Sequence, residues 1–464
     1  MVHFFMYPAK MTSLGGVLLA VLASAAPAMA QNQPVAIPAK DFGPVWTGFY
    51  VGAAFGAGGS VSKFDVNRPG LSTTVDADGG SGVLGSIYGG VDYQITQRGV
   101  VGLLAELSYS GFQGSTSVQV PGANASVNRM SGLGWAVLAR AGVLANPTTL
   151  LYLAGGYAGQ NIHNDGLATG GGFLASFSND QTVNGWTLGP GFEAMLGRNW
   201  SGKLEYRYSQ FGRTTLGGGV VGLTPSTHAV RAGLTYRFGG LGVAGSDEPT
   251  PPGPSNVNWT GIYAGAAGGG GMGFGKLNAA AGAGSSSFDS AGQGLLGGFF
   301  AGGDYQFSPY ALVGAMGDFT WTGLQSTFSI NAPGGGSAYV AADGNRQWSV
   351  MGRVGYLPVP STLLYAAGGF TQLNVHTTAS AVLPGGAMPF ASNDTTLNGF
   401  TVGPGIETVI TGGWTTRLEY RFSQFEQKDL APGVSMQPSN HTIRAGLSYK
   451  FGMGSSVYTG QAAN

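Results

Sequence analysis

Apolar and polar positions alternate along most of this chain with a period of two. Leu204, Tyr206 and Tyr208 alternate with Lys203, Glu205, Arg207 and Ser209. Val230, Ala232, Leu234, Tyr236 and Phe238 alternate with Arg231, Gly233, Thr235 and Arg237. A period of two places successive side chains on opposite faces of a strand, so each strand has one apolar and one polar face. The pattern predicts strands over 46–58, 83–96, 99–113, 131–145, 148–162, 181–197, 199–212 and 226–238. Short connections fall around Gln97-Arg98, Asn146-Pro147 and Arg198-Asn199. Long connections rich in Gly, Ser, Asn and Asp occupy 59–82, 114–130, 163–180 and 213–225.

The whole pattern occurs twice. Trp46-Thr-Gly-Phe-Tyr-Val-Gly returns as Trp259-Thr-Gly-Ile-Tyr-Ala-Gly, and Asp92-Tyr-Gln as Asp304-Tyr-Gln. Leu204-Glu-Tyr-Arg-Tyr-Ser-Gln-Phe returns as Leu418-Glu-Tyr-Arg-Phe-Ser-Gln-Phe, and the closing Arg231-Ala-Gly-Leu-Thr-Tyr-Arg-Phe as Arg444-Ala-Gly-Leu-Ser-Tyr-Lys-Phe. This order implies a duplicated unit, longer than any solenoid repeat. The copies run over 46–239 and 259–452. A proline-stiffened linker at 240–258 separates them, containing Pro249-Thr-Pro-Pro-Gly-Pro254, and its length suits two bodies that move separately. Residues 31–45 form a similar leader and 453–464 a tail.

Alternating short and long connections are what a transmembrane antiparallel β-barrel shows, with short periplasmic turns and long outer loops. An even strand count puts leader and linker on the periplasmic side. A sheet in lipid must close, because an open edge leaves backbone groups unpaired. The expected fold is therefore all-β, as two tandem eight-stranded barrels. The alternative is one sixteen-stranded barrel with a water-filled lumen, a diffusion porin for small solutes.

Composition agrees with this class. Gly accounts for 85 of 464 residues and charged residues for only 9%, against about 25% in soluble domains. Aromatics reach 11%, too many for a disordered chain. The 21 basic and 21 acidic residues leave no electrostatic footprint for nucleic acid. Without Cys there is neither a disulfide framework nor a thiolate metal site. Lys10, the apolar stretch Leu14 to Ala26 and Ala28-Met29-Ala30 read as a secretory signal over 1–30, with Met1 or Met11 as its start.

Strand parity turns a charged set toward the lumen. In copy one it is Asp92, Glu106, Arg140, Glu193, Lys203, Glu205, Arg207, Arg231 and Arg237. In copy two it is Asp304, Asp318, Arg353, Glu407, Arg417, Glu419, Arg421, Arg444 and Lys450. All nine pairs match in sign, with four acids and five bases per copy. An eight-stranded barrel is just wide enough for side chains to fill it, so the set reads as a salt-bridge layer near mid-barrel. Inward glycines such as Gly90, Gly189, Gly191 and Gly233 should leave room for the long arginines. A catalytic or ion-conducting cluster is the competing reading, but no nucleophile sits among these residues.

Other candidates are weaker. His163, His376, His228 and His441 stand at outer strand ends and read as polar-rim residues, with no carboxylate spaced to complete a metal or haem site. Ser226 with His228, and Ser439 with His441, share a strand face. Glu426 is near only in the second copy, so hydrolysis is not expected. The run Gly268–Gly271 opens no helix and is no phosphate loop. We expect no catalytic residue, no metal and no cofactor.

The strings at 46–52, 204–208 and 231–238 resemble the small outer-membrane β-barrel family of opacity-type, porin-like surface antigens of alpha-proteobacteria. The resemblance covers both copies from end to end. It implies an integral outer-membrane barrel that contributes to envelope integrity and surface contact and has no enzyme activity. Its implied partners are outer-membrane lipid and the outer-membrane assembly machinery, which reads a terminal Tyr-x-Phe strand: here Tyr236 and Phe238, and Tyr449 and Phe451. Some members of the family are linked to haem binding or adhesion. Any surface ligand is unknown. This chain departs from the usual pattern in carrying two copies and in having residues after Phe451.

Overall fold

A computed structural model describes residues 46–238 and 257–451, apart from 69–70, 121, 171, 198, 217–220, 282–283, 332–336, 384–385 and 432–433. The leader, signal and tail, and the linker up to residue 256, lie outside the described residues. So does part of the predicted turn at Arg198-Asn199. Among the described residues every regular element is a strand.

Copy one contains β1 (Gly48–Arg68), β2 (Leu71–Gln94), β3 (Gly99–Ser110), β4 (Gln113–Val120), β5 (Ala123–Asn146), β6 (Thr149–Gly170), β7 (Phe173–Met195), β8 (Trp200–Phe211), β9 (Thr214–Leu216) and β10 (Val221–Arg237). All pairings are antiparallel. β4 continues the stave begun by β3, and β9 the stave begun by β8, so there are eight staves. The first and last strands close the ring, with Tyr50 opposite Arg237.

Copy two repeats the plan. Its strands are β11 (Gly261–Ala281), β12 (Gly284–Ser308), β13 (Ala311–Thr322), β14 (Gln325–Asn331), β15 (Ser337–Val359), β16 (Thr362–Leu383), β17 (Gly386–Thr411), β18 (Trp414–Phe425), β19 (Lys428–Ala431) and β20 (Val434–Lys450). Its closure has the same register, with Tyr263 opposite Lys450. Two closed rings exclude the single sixteen-stranded barrel, which would need the ends of copy one to pair with copy two rather than with each other.

The alternation places large apolar side chains outward. Phe55, Ile87, Leu133, Leu295 and Phe299 are each more than half exposed on the outer wall. Lipid is the solvent that suits such a surface. Trp200, Tyr236 and Phe238 stack edge-on at the short-turn end, with centroids 5.1 and 5.2 Å apart. Trp414, Tyr449 and Phe451 repeat the stack at 5.4 and 5.1 Å.

Two features differ from the sequence reading. The long connections are not loops for most of their length. They continue the staves as outer hairpins, so β1 and β2 stay paired out to Arg68 and Leu71. Gly, Asn and Asp are weak strand formers, but once the ring has fixed the register the ladder extends through them.

The second difference is that the rings do not stand apart. Phe192, Leu204 and Val230 of the first form one buried cluster with Ile406, Leu418 and Ile443 of the second. These are equivalent positions in the two copies. Nearer the outside, Val61 packs on Met272, and a Cβ on Gly59 would lie 2.4 Å from the Phe274 ring. Gly59 corresponds to Met272 and Val61 to Phe274, so this is one contact made twice. The hairpins follow the same rule: β4 pairs with β12, and β14 with β2. Reciprocal contacts between equivalent residues define an isologous, two-fold-like interface.

Candidate functional site in the barrel lumen

The inward face of each ring is filled at mid-height by charge. In copy one Arg140 on β5 donates from Nε to Asp92 Oδ1 at 2.7 Å and from Nη1 to Glu193 Oε2 at 2.8 Å. Arg237 on β10 reaches Glu193 Oε1 at 2.8 Å and Asp92 Oδ2 at 3.0 Å. Ser201 adds a 2.6 Å bond to Glu193. One level further out, Glu205 accepts from the Tyr152 hydroxyl at 2.8 Å and pairs with Arg207. Lys203 stands 3.8 Å from Glu205. Glu106 accepts from Arg207 at 2.9 Å and pairs with Arg231. All nine residues are 9% exposed or less.

Copy two holds the same network with small substitutions. Arg353 donates to Asp304 at 2.7 Å and to Glu407 at 2.9 Å. Lys450 replaces Arg237 and pairs with Asp304. Glu419 accepts from Tyr365 at 2.7 Å and pairs with Arg421, which also reaches Asp318. Arg444 donates to Asp318 at 3.0 Å. Arg417 replaces Lys203, 3.5 Å from Glu407. Strands from all round each ring supply these groups, so only a closed barrel brings them together.

The glycines act differently from the expectation. The space above them is taken by tyrosines, and the arginines lie on the tyrosines. A Cβ on Gly191 would sit 2.1 Å from Tyr152 Cζ, and one on Gly90 would sit 2.5 Å from the Tyr50 hydroxyl. A Cβ on Gly189 would instead strike the Tyr206 carbonyl oxygen at 1.8 Å. The Arg140 guanidinium stacks 4.6 Å from the Tyr50 centroid and 5.1 Å from Tyr152. Lys203 lies 3.5 Å above Tyr88. Such stacks favour a cation kept away from water.

Trp46 and Trp259, both fully buried, close the short-turn end. Their indole N–H groups donate to the carbonyls of Pro147 and Pro360 at 3.1 and 2.9 Å. These aromatic members of the lumen were missed, although Tyr88 shares a strand and a parity with Asp92; Tyr50 and Tyr152 reach the same face through their register opposite Gly90 and Gly191.

The histidines are not a uniform polar rim. His163 bonds Asp180 at 2.7 Å and Asp165 at 2.8 Å, so carboxylates do reach it. His376 bonds Asp394 at 2.7 Å. His228 and His441 are largely buried on the outer wall, bonded to Tyr206 and Tyr420 at 2.6 and 2.7 Å. Ser226 bonds the Val61 carbonyl and Glu426 takes Asn398, so neither serine–histidine pair gains an orienting acid. Among the described residues no group of three or more His, Asp or Glu could hold a metal ion.

Apolar outer walls, aromatic ends, closed rings and ion-paired lumens define an integral outer-membrane β-barrel, present twice. The chain belongs to the family described as outer membrane protein beta-barrel domain, which matches residues 16–238 and 255–451. It is 31% identical over 217 residues to the 31 kDa outer-membrane immunogenic protein of Brucella melitensis, covering 45% of this chain and 89% of that one. It is 29% identical over 220 residues to the 25 kDa outer-membrane immunogenic protein of Brucella abortus, covering 47% of this chain and 91% of that one. Among solved structures, Neisserial surface protein A aligns with 98% of its own length and 41% of this chain, at 16% identity and a TM-score of 0.23. The protein is an outer-membrane β-barrel protein, and these relatives are named outer-membrane immunogenic proteins.

Proposed function

We propose that this is a non-catalytic surface protein that contributes to envelope integrity and surface contact, and that neither barrel conducts. The observation that carries this is the buried charge and aromatic layer across each lumen. Four acids and five bases per ring, paired and covered by Tyr and Trp, occupy the cross-section an eight-stranded barrel offers. Buried charges held in pairs resist displacement, because separating them leaves an uncompensated charge. The side chains that would carry catalysis are already committed to one another. We further propose that the Tyr-x-Phe ends of β10 and β20 address the outer-membrane assembly machinery, as the family resemblance implies. Phe238, Tyr449 and Phe451 are exposed and Tyr236 is half-buried, at the end of the strand that closes each ring.

Single-channel recording tests the reading. Protein refolded into a planar bilayer should show no porin-sized conductance steps. Large, salt-proportional steps would overturn it.

A further inference from the structure

Above the charged layer the two lumens diverge. In copy one Arg129 fills the outer end. It is 5% exposed, donates to Ser62 Oγ at 2.6 Å and to Asn164 Oδ1 at 3.3 Å, and lies opposite Asn164 in the ladder. In copy two the matching position opposite Thr377 is Ala342, and the position of Ser62 is Gly275. Gln160, which bonds the Gly132 carbonyl in copy one, becomes Leu373. Three polar side chains that fill one mouth are thus short or apolar in the other.

What results in copy two is an open-mouthed cavity at the outer end of the lumen. Ala342, Leu373 and Val375 line it on one side and Leu324 on another. Leu373 and Val375 belong to a buried cluster with Leu397 and Phe425. Beneath runs a polar belt, one inward position lower. Gln347 donates to Thr371 at 3.0 Å and to Ser423 at 3.3 Å, and accepts from Asn440 at 3.2 Å. Asn440 is 2% exposed and lines the cavity, and its side-chain carbonyl oxygen has no partner. A buried acceptor left open below an apolar wall is a place for a donor brought by a ligand.

We propose that the mouth of the second barrel binds a small, largely apolar molecule carrying a hydrogen-bond donor, of the size and chemistry of a two-ring phenol. The ring lies against Leu373 and Val375, and the hydroxyl donates to Asn440. In the first barrel Arg129 stands in the corresponding space, and Gln160 makes the wall polar where Leu373 makes it apolar.

The test is equilibrium dialysis of the full chain, refolded in amphipol, against 2-naphthol and 2-methoxynaphthalene. The methyl ether keeps the rings and lacks the donor. Wild type should take up 2-naphthol saturably, at about one per chain, and prefer it to the ether about tenfold, the worth of one hydrogen bond. Ala342→Arg should remove saturable uptake. Leu373→Gln, which installs the residue of the first barrel, should weaken uptake at least tenfold, and it carries the test if the arginine variant does not fold. Asn440→Leu should abolish the preference for the phenol. Uptake that never saturates, or that is equal in wild type and Leu373→Gln, overturns the site. A preference that survives Asn440→Leu overturns the role of its carbonyl.

Discussion

The hydroxyls of Thr149 and Thr362 lie 3.1 Å apart, although each is the counterpart of the other in a different barrel. Both also approach Thr408, at 3.4 and 3.0 Å. Equivalent residues meet only on the axis of a two-fold-like interface, so this pair marks where the rings turn about each other. With no cysteine in the chain, Thr149→Cys with Thr362→Cys gives an unambiguous readout. Mild oxidation should form an internal disulfide, seen as a faster unreduced band after heating, since the two positions are within bridging reach. Val101→Cys with Val313→Cys, on exposed outer walls, should not cross-link. The reverse result would remove the paired arrangement.

Glu205→Ala removes the acceptor of both Tyr152 and Arg207. Stranding a buried charge should cost about 3–5 kcal/mol, less where water enters the lumen. The urea midpoint of refolding in detergent should fall clearly. Asp165→Asn, in an exposed outer hairpin, should cost about 0–1 kcal/mol. Equal midpoints for the two variants would mean that the layer is wet rather than packed.

Glycine substitutions separate close ring packing from open wall. Gly191→Ala drives a methyl into the Tyr152 ring, and Gly405→Ala does the same at Tyr365, where the approach would be 2.2 Å. Each should cost about 1–3 kcal/mol, the usual cost of overpacking. Gly268→Ala meets only the Leu296 carbonyl at 3.8 Å. It should change stability by less than about 0.5 kcal/mol. Thermal unfolding of the three variants in one detergent would rank them.

His163 follows the start of β6 by 14 residues (149 to 163), beyond the 9–11 needed to cross the bilayer. The bond to Asp180 raises its pKa above the ordinary 6.5, slight burial opposes this, and Asp165 adds to the rise. A raised value means that charged His163 favours the folded outer hairpin. That contribution is complete below about pH 6.5 and is lost as pH climbs through the folded pKa. Proton-resonance titration of His163 should show a midpoint above 6.5, and Asp180→Asn should bring it down. An unchanged midpoint in that variant would dismiss Asp180 as the cause.

The alternation that turns Arg207 inward and Tyr206 outward is a property of each strand alone, so the sequence determined the strands, the duplication and the charged parity set. Closure of each ring followed from lipid chemistry, because unpaired edges are intolerable there. Only the tertiary structure decided what depends on distant strands meeting. It put Trp46 against Pro147, laid Arg140 on Tyr50, and extended the Gly- and Ser-rich connections into hairpins. It also joined the barrels at Thr149 and Thr362, and left the space beside Ala342 that Arg129 fills in the other copy. A local pattern says which face a side chain takes. What it touches there is fixed by register, closure and the strand across the lumen, none of which a single strand contains.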